Sequence, residues 1–209
     1  MNFKEVEHFM IGNDVSRHQP NFPVGSGCFT IIKATEGRTY VDPTFGAKVG
    51  QLKDGDLVGF YHFARPDSKG NNPKLEAENF VETVRPFIGK AIFILDWEGK
   101  ALSYNDDYAI DFMLHVEAMT GVKPLLYTGS WATIKCPDVA RYGYELWIAH
   151  YGVSEPKIKN FTDWRMWQFT STPFDFNIFK GTEEDWKRLA TSKYDPAIVE
   201  ILRERGLDD

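Results

Sequence analysis

The chain has 209 residues, a length that favours one sizeable hydrophobic core over two small ones. Its net charge is −6, and no run of Lys and Arg could follow a nucleic-acid backbone, so we expect no nucleic-acid partner. No stretch of about 18 apolar residues occurs, which argues against membrane insertion. The two cysteines, without a CxxC or Cys/His cluster, predict packing roles and no zinc site.

Eight apolar or alternating segments have the pattern of strands. In chain order they are residues 9–15, 28–34, 57–63, 91–95, 124–127, 145–149, 165–169 and 175–179. Helical patterns separate the early ones: one helix begins after Asn72 and ends before Gly89, and another begins near Asn105 and ends at Gly121. Two further helices are predicted at 183–190 and 196–205.

Strands that alternate with helices predict a parallel sheet built from βα units, and eight of them suggest a closed barrel. The chain is shorter than the roughly 250 residues that eight complete βα units need. Five residues separate the last two predicted strands, too few for a helix. We therefore predict a single-domain α/β barrel, residues 1–190, whose second half has lost helices. Residues 191–209 are expected to form a docked helical tail.

Four acidic residues fall at strand ends that would share one rim of this barrel. Asp14 ends the first strand, Asp96 and Glu98 follow the fourth, and Asp175 lies near the start of the last. Catalytic residues of parallel αβ barrels sit at the carboxyl ends of the strands. Asp96 and Glu98 would share a face with Cα atoms about 6.5 Å apart, with Trp97 pointing the other way into packing. Like charges this close raise one pKa, which suits a general acid beside an ionised partner.

A structural role is the simpler explanation for any one of these acids, because most Asp and Glu residues cap helices or face water. The pair of Asp96 and Glu98 is the strongest candidate, since burying two carboxylates without purpose is costly. Lys33, at the end of the second strand, is either an edge residue with its charge in solvent or a ligand contact. Tyr61, Tyr127 and Trp147 are expected to be partly core, and Gln168 ends the seventh strand. His62 and His150 are expected to be hydrogen-bonded structural residues.

Eight short motifs, each weak alone, occur in a recognisable order. They are Gly12-Asn-Asp-Val-Ser16, Lys33-Ala-Thr-Glu-Gly37, Gly59-Phe-Tyr-His-Phe63, Asp96-Trp-Glu98, Leu126-Tyr-Thr-Gly129, Leu146-Trp-Ile-Ala149, Trp167-Gln168 and Asp175-Phe-Asn177. From about residue 9 to residue 190, the chain resembles glycoside hydrolase family 25. This family comprises the Chalaropsis-type lysozymes, many of them phage endolysins or bacterial autolysins.

The resemblance implies a flattened, incomplete (β/α) TIM-like barrel with about five βα units followed by three strands. It implies cleavage of the β-1,4 bond between N-acetylmuramic acid and N-acetylglucosamine in peptidoglycan glycan strands. We also expect a monomer and neither a cofactor nor a metal. Carried over by motif, Glu98 is the general acid, Asp96 its partner, and Asp14 and Asp175 the flanking acids. The implied saccharide contacts are Lys33, Tyr61, Tyr127, Trp147 and Gln168.

The stereochemistry stays open at this point. Attack by the substrate's own 2-acetamido group, oriented by Asp96, is our preferred route. A water activated by Asp175 or Asp14 with inversion, and direct carboxylate attack, are the alternatives. Rival functions are a metal-dependent phosphoesterase, a non-catalytic wall-binding barrel and a chitinase-like hydrolase.

Two loops depart from the family pattern. The segment 171–174 before Asp175 is short, and 151–156 lacks a family signature. The first residues lack a signal peptide, as expected for a phage enzyme released through a membrane pore or a secreted enzyme whose leader has been removed. The expected place of action is the bacterial cell wall. The charge of −6 supplies no attraction to an anionic wall, so affinity is expected from the cleft or from a module outside this chain.

Overall fold

A ring of eight strands forms the centre of the computed structural model, which describes residues 8–207. The strands β1 to β9 are Phe9–Val15, Phe29–Glu36, Tyr40–Val41, Leu57–Phe63, Ala91–Asp96, Leu125–Gly129, Leu146–Ala149, Met166–Thr170 and Phe176–Lys180. The ring runs β1-β2-β4-β5-β6-β7-β8-β9 and closes from β9 to β1, while the short β3 pairs with β2 outside it. All eight predicted strands are present to within two residues, and β3 was missed.

Six helices accompany the strands. They are α1 Phe45–Val49, α2 Pro73–Val84, α3 Asp107–Thr120, α4 Pro137–Arg141, α5 Glu183–Ala190 and α6 Pro196–Glu204. Asn72 caps α2 by accepting a hydrogen bond from the backbone of Leu75, and Gly121 ends α3 at a φ of 67°. The short helices α1 and α4, and three 3₁₀ turns, were not predicted because a few residues carry little periodicity.

One strand of the ring, β9, runs opposite to the other seven. The neighbours from β1 through β2, β4, β5, β6 and β7 to β8 pair in parallel, whereas β9 pairs antiparallel with both β8 and β1. The start of β9 therefore lies at the rim where the other seven strands end. Residues 150–165 and 171–175, all within the described part of the chain, contain no helix. The predicted α/β class and the loss of helices in the second half are confirmed.

Alternation along each strand divides the apolar side chains between two cores. On β5, Ile92 and Ile94 point into the barrel, while Phe93 and Leu95 face the helices outside. Trp186 of α5 fills the inner core at the end opposite the rim, with its ring 4.7 Å from that of Phe29. Burying a large apolar side chain contributes roughly 1.5–3 kcal/mol, so both cores fix the strand positions firmly.

Two inward-facing glycines make room for these bulky neighbours. A Cβ on Gly59 would lie 2.8 Å from Cγ1 of Ile92, and one on Gly12 would lie 2.3 Å from the carbonyl oxygen of Phe29. Both distances are below any ordinary contact, so a side chain at either position would push neighbouring strands apart. Each glycine lies two residues before the last inward-facing residue of its strand, and together they keep the barrel narrow just below the rim.

The last helix packs against α3. Arg205, just after α6, pairs with Asp111 at 2.6 Å and with Asp107 at 3.2 Å. The division into a barrel, 1–190, and a tail, 191–209, stays a prediction, and its outer ends at 1–7 and 208–209 lie outside the described residues. Cys136 is buried as expected, whereas Cys28 is exposed because it precedes β2 at the surface. Within residues 8–207, no helix is long and apolar enough to cross a membrane.

Candidate active site

Each strand of the ring contributes one inward-facing side chain to the layer nearest the carboxyl rim. Alternate residues of a strand point to the same face, so Asp96 points into the barrel because Ile94 does. The eight members are Asp14, Lys33, Tyr61, Asp96, Tyr127, Trp147, Gln168 and Asn177. Seven of them are predicted site residues, and Asn177 is the addition.

A cleft of about 260 Å³ opens above this layer. It is lined by Asp14, Ser16, His18, Gln19, Tyr61, Asp96, Glu98, Tyr127, Trp147, Tyr151, Gln168 and Asp175. The structure thus brings all four predicted acids together, with four of the five predicted contact residues. Lys33 lies beside the cleft, where its Nζ is 2.8 Å from Oε2 of Glu36. Cavities of about 540 and 640 Å³ are larger, but among the described side chains neither gathers buried carboxylates.

Asp96 and Glu98 reach the cleft from the end of β5. Glu98 is extended, with φ −144° and ψ −176°, so the alternation of β5 continues beyond the strand. Trp97 accordingly points outward and is buried with its ring 6.0 Å from that of Tyr108, as predicted. Oδ1 of Asp96 is buried and has no hydrogen-bond partner among the described residues.

Burial makes both carboxyls of this pair weaker acids than usual. Burial and then the charge of Glu98 raise the pKa of Asp96 well above its ordinary value, and the charge of Lys33 opposes them. Burial also raises the pKa of Glu98, again against Lys33. A carboxyl with a raised pKa keeps its proton nearer to neutral pH, which is the property that a general acid needs.

Asp14 is held by amide groups beneath the cleft. Its Oδ2 accepts hydrogen bonds from Nδ2 of Asn177 at 2.7 Å and from Nε2 of Gln168 at 2.8 Å. Nε1 of Trp147 donates to Oδ1 of Asn177, and the hydroxyl of Tyr127 donates to Oε1 of Gln168, both at 2.9 Å. The polar atoms of these predicted contact residues are therefore engaged in positioning Asp14, which their sequence positions could not reveal.

Burial, followed by the charge of Asp175, raises the pKa of Asp14 to about 7, against the hydrogen bonds from Asn177 and Gln168. A raised carboxyl pKa means that the folded state binds the proton more tightly than the unfolded chain. The protonated carboxyl of Asp14 therefore makes its full contribution to the stability of the fold below about pH 4. That contribution is lost as pH rises toward 7.

Asp14→Asn is thus expected to gain stability over the parent as pH rises. The gain should be small at pH 4 and reach about 2 to 4 kcal/mol at pH 8, because Asn keeps the acceptor oxygen and removes the titrating proton. Chemical denaturation at both pH values measures it. The matched variant Asp54→Asn, at an exposed position, should show no such trend. A gain for Asp14→Asn that is the same at both pH values would contradict the assignment.

Asp175 comes from the loop before β9 and is tied to the loop after β1. Its Oδ2 accepts a hydrogen bond from Nε2 of Gln19 at 3.0 Å, and its carbonyl oxygen accepts one from Nδ2 of Asn13 at 3.0 Å. Oε1 of Gln19 in turn accepts from the backbone of Ser16. Burial raises the pKa of Asp175 as well.

Sequence reasoning missed five residues around the cleft, Ser16, His18, Gln19, Tyr151 and Asn177. Asn177 carried a usable signal, because it lies two residues after Asp175 and inward like Phe179. Ser16 belongs to the first motif. His18, Gln19 and Tyr151 lie on loops, where no periodicity exists to predict direction. The hydroxyl of Tyr151 donates to Oε1 of Gln168 at 2.5 Å while its ring is half exposed, so it forms a wall of the cleft.

The two histidines expected to be structural have that role. Nδ1 of His62 lies 2.7 Å from Oγ1 of Thr35, and Nε2 lies 2.6 Å from Glu76, all buried between β2, β4 and α2. Nδ1 of His150 accepts a hydrogen bond from the backbone of Lys157. Within residues 8–207, no three His, Cys, Asp or Glu side chains are grouped so that they could hold a metal ion.

Comparison with known proteins identifies a family and several relatives that this chain resembles. The family model of glycosyl hydrolases family 25 matches residues 13–176. The lysozyme of Streptococcus phage Cp-1 is 34% identical over 170 residues, which are 75% of this chain and 48% of the phage protein. The uncharacterized protein YegX of Escherichia coli K12 is 34% identical over 172 residues, 75% of this chain and 61% of YegX. The chain therefore spans about half to three fifths of the length of these curated relatives.

Solved structures agree. The bacterial lysozyme from Streptomyces coelicolor has a TM-score of 0.74 and 26% identity, covering 86% of this chain and 96% of its own. The modular Cpl-1 endolysin, complexed with a peptidoglycan analogue, has a TM-score of 0.63 and 27% identity, covering 86% of this chain and 57% of its own. The resemblance seen in the motifs is confirmed: the chain belongs to glycosyl hydrolases family 25.

Proposed function

We propose that this chain is a lysozyme that cleaves the β-1,4 bond between N-acetylmuramic acid and N-acetylglucosamine in bacterial peptidoglycan. The observation that carries the proposal is the placement of Asp96 and Glu98 side by side at the end of β5, facing a cleft that also holds the buried Asp14 and the half-buried Asp175. Relatives named lysozymes and the Cpl-1 endolysin complexed with a peptidoglycan analogue support it. The proposed place of action is the bacterial cell wall.

In this mechanism, Glu98 donates its proton to the glycosidic oxygen as the bond to the anomeric carbon breaks and oxocarbenium character develops. The acetamido oxygen of the same sugar then attacks the anomeric carbon. Asp96 accepts a hydrogen bond from the acetamido N–H and stabilises the positive charge that forms. Its buried Oδ1, without a partner among the described residues, is an acceptor suited to this role. Water finally opens the cyclic intermediate, with the Glu98 carboxylate as base.

Digestion of purified peptidoglycan tests the bond specificity. We expect fragments with muramic acid at the reducing end, identified by mass spectrometry, and little release from chitin. Glucosamine at the reducing end would make the enzyme a glucosaminidase. Hydrolysis of chitin at a comparable rate would favour the chitinase-like alternative, and binding without any release would favour a non-catalytic wall-binding barrel.

The stereochemistry of the first-formed product tests the acetamido route. Attack by the acetamido group and then by water inverts the anomeric centre twice, so the β-configuration is retained. Proton NMR of a short glycan during the first minutes of digestion should show the β-anomer before mutarotation. Clean formation of the α-anomer would instead support a water activated by Asp175 or Asp14.

A further inference from the structure

A basic cavity of about 300 Å³ lies next to the cleft, on the side of β1, β2 and β4. Four cationic side chains line it, from segments far apart in the chain: Arg17, Arg38, Arg65 and Lys69. Glu36 is the acidic side chain in its wall. Glu36 is the last residue of β2 and the four cationic residues follow strand ends, so the cavity opens on the same rim as the carboxylates.

The cavity and the cleft share a wall. Arg17 lies between Ser16 and His18, which both line the cleft, while Arg17 lines the basic cavity. A second link is Glu36, which pairs with Lys33 of the inner layer at 2.8 Å. A polymer lying in the cleft would therefore bring its substituents to the basic cavity.

The cations of this cavity exceed the local negative charge. Glu36 is already neutralised by Lys33 at 2.8 Å and Arg65 at 2.6 Å. The guanidinium of Arg17 lies 5.9 Å from the ring centre of Tyr40, and that of Arg38 donates to a backbone carbonyl. Among residues 8–207, Arg17, Arg38 and Lys69 make no ion pair with a carboxylate. A concentration of unpaired positive charge is unexpected in a chain of net charge −6.

We propose that this cavity binds an oxyanion carried by the wall polymer while the glycan strand occupies the cleft. Guanidinium groups match the two oxygens of a phosphodiester or a carboxylate, and the hydroxyls of Thr39 and Ser68 in the same wall are further donors. The site supplies the local attraction to an anionic wall that the overall charge does not. This inference rests on the proposed function for the identity of the polymer.

Binding to cell walls, measured with a variant that does not cleave the glycan, tests the basic cavity separately from catalysis. In a Glu98→Gln background, Arg17→Gln with Lys69→Gln should weaken cosedimentation with Gram-positive walls about tenfold at low salt, and the difference should vanish at high salt. The matched control is Lys53→Gln with Lys90→Gln, which removes the same charge before β4 and β5, at the opposite end of the barrel. Equal binding by the two double variants would overturn the proposal.

Two treatments of the walls identify the oxyanion. Hydrofluoric acid removes phosphodiester-linked polymers and leaves the stem peptides, and an amidase removes the stem peptides with their carboxylates. The treatment that abolishes the tenfold difference names the group bound, and a difference that survives both would refute an oxyanion of either kind. Absence of muramidase activity in the digestion assay would not affect these binding measurements, so the two failures are distinguishable.

Discussion

Glu98→Gln is expected to lower kcat on peptidoglycan by a factor of about 1,000 or more, since general acid catalysis is typically worth 10²–10⁴ in rate. Glutamine has the shape of glutamate but cannot give a proton to the leaving oxygen. The position tolerates a neutral group, because burial already disfavours the charge there. The variant should therefore fold, bind walls and fail to cut them.

Turbidity loss of Gram-positive walls and quantified reducing ends measure this effect, and circular dichroism verifies the fold. Glu78→Gln on the exposed face of α2 makes the same chemical change away from the cleft and should retain full activity. If Glu98→Gln kept more than about one per cent of the parent rate, another group would have to be the acid. The parent's rate should also fall as pH rises and Glu98 loses its proton, in a range shifted upward from that of an ordinary glutamate by its raised pKa.

Asp96→Asn is expected to lower kcat about a hundredfold and, at the same time, to stabilise the fold at neutral pH. The lost rate reflects the lost negative charge beside the developing positive charge of the intermediate. The gained stability follows from the raised pKa of Asp96: a buried carboxyl favours folding while protonated, and that contribution is lost as pH rises above about 4. Asn removes this cost, which should raise Tm at pH 7 by about 2 to 4 °C.

Opposite movement of activity and stability separates a catalytic role from a structural one. A residue that merely holds β5 would lose both when replaced, whereas functional sites commonly keep groups that the fold would be more stable without. Differential scanning calorimetry at pH 4 and pH 7 with parallel rate measurements makes the comparison. If Asp96→Asn lowered both the Tm at pH 7 and the activity, a catalytic role for Asp96 would be contradicted. The control Asp54→Asn, at an exposed position, should change neither quantity.

The inner layer of the barrel could be predicted because strand alternation is a local rule. Once Ala91–Asp96 is identified as a strand, the direction of Asp96 relative to Trp97 follows from a period of two. The last residues of the other strands include Lys33, Tyr61 and Gln168, and the family resemblance implied their role as saccharide contacts. Assembly of these residues into one cleft then requires only that the ring closes.

Contacts made by loops and by side-chain termini could not be predicted in this way. Gln19 reaches Asp175 across 156 residues of sequence, and the direction of a loop has no periodic signature. The basic cavity could not be predicted for the same reason, because Arg17 and Lys69 belong to segments that are distant in sequence and meet only in the folded chain. The hydrogen bonds that orient Asp14 depend on rotamers, and several arrangements would satisfy the same sequence.

Because β9 runs opposite to its neighbours, Asp175 is positioned by a loop, whereas the other three acids are positioned by strands. Asp14 and Asp96 lie within parallel strands, and Glu98 extends one of them, so the ladder fixes their separations. Asp175 instead ends a five-residue link between β8 and β9. Adding or removing a residue in that link would shift this carboxylate without disturbing any strand pair. The position of Asp175 therefore depends on the length of one short segment, whereas the positions of the other three acids depend on strand pairing.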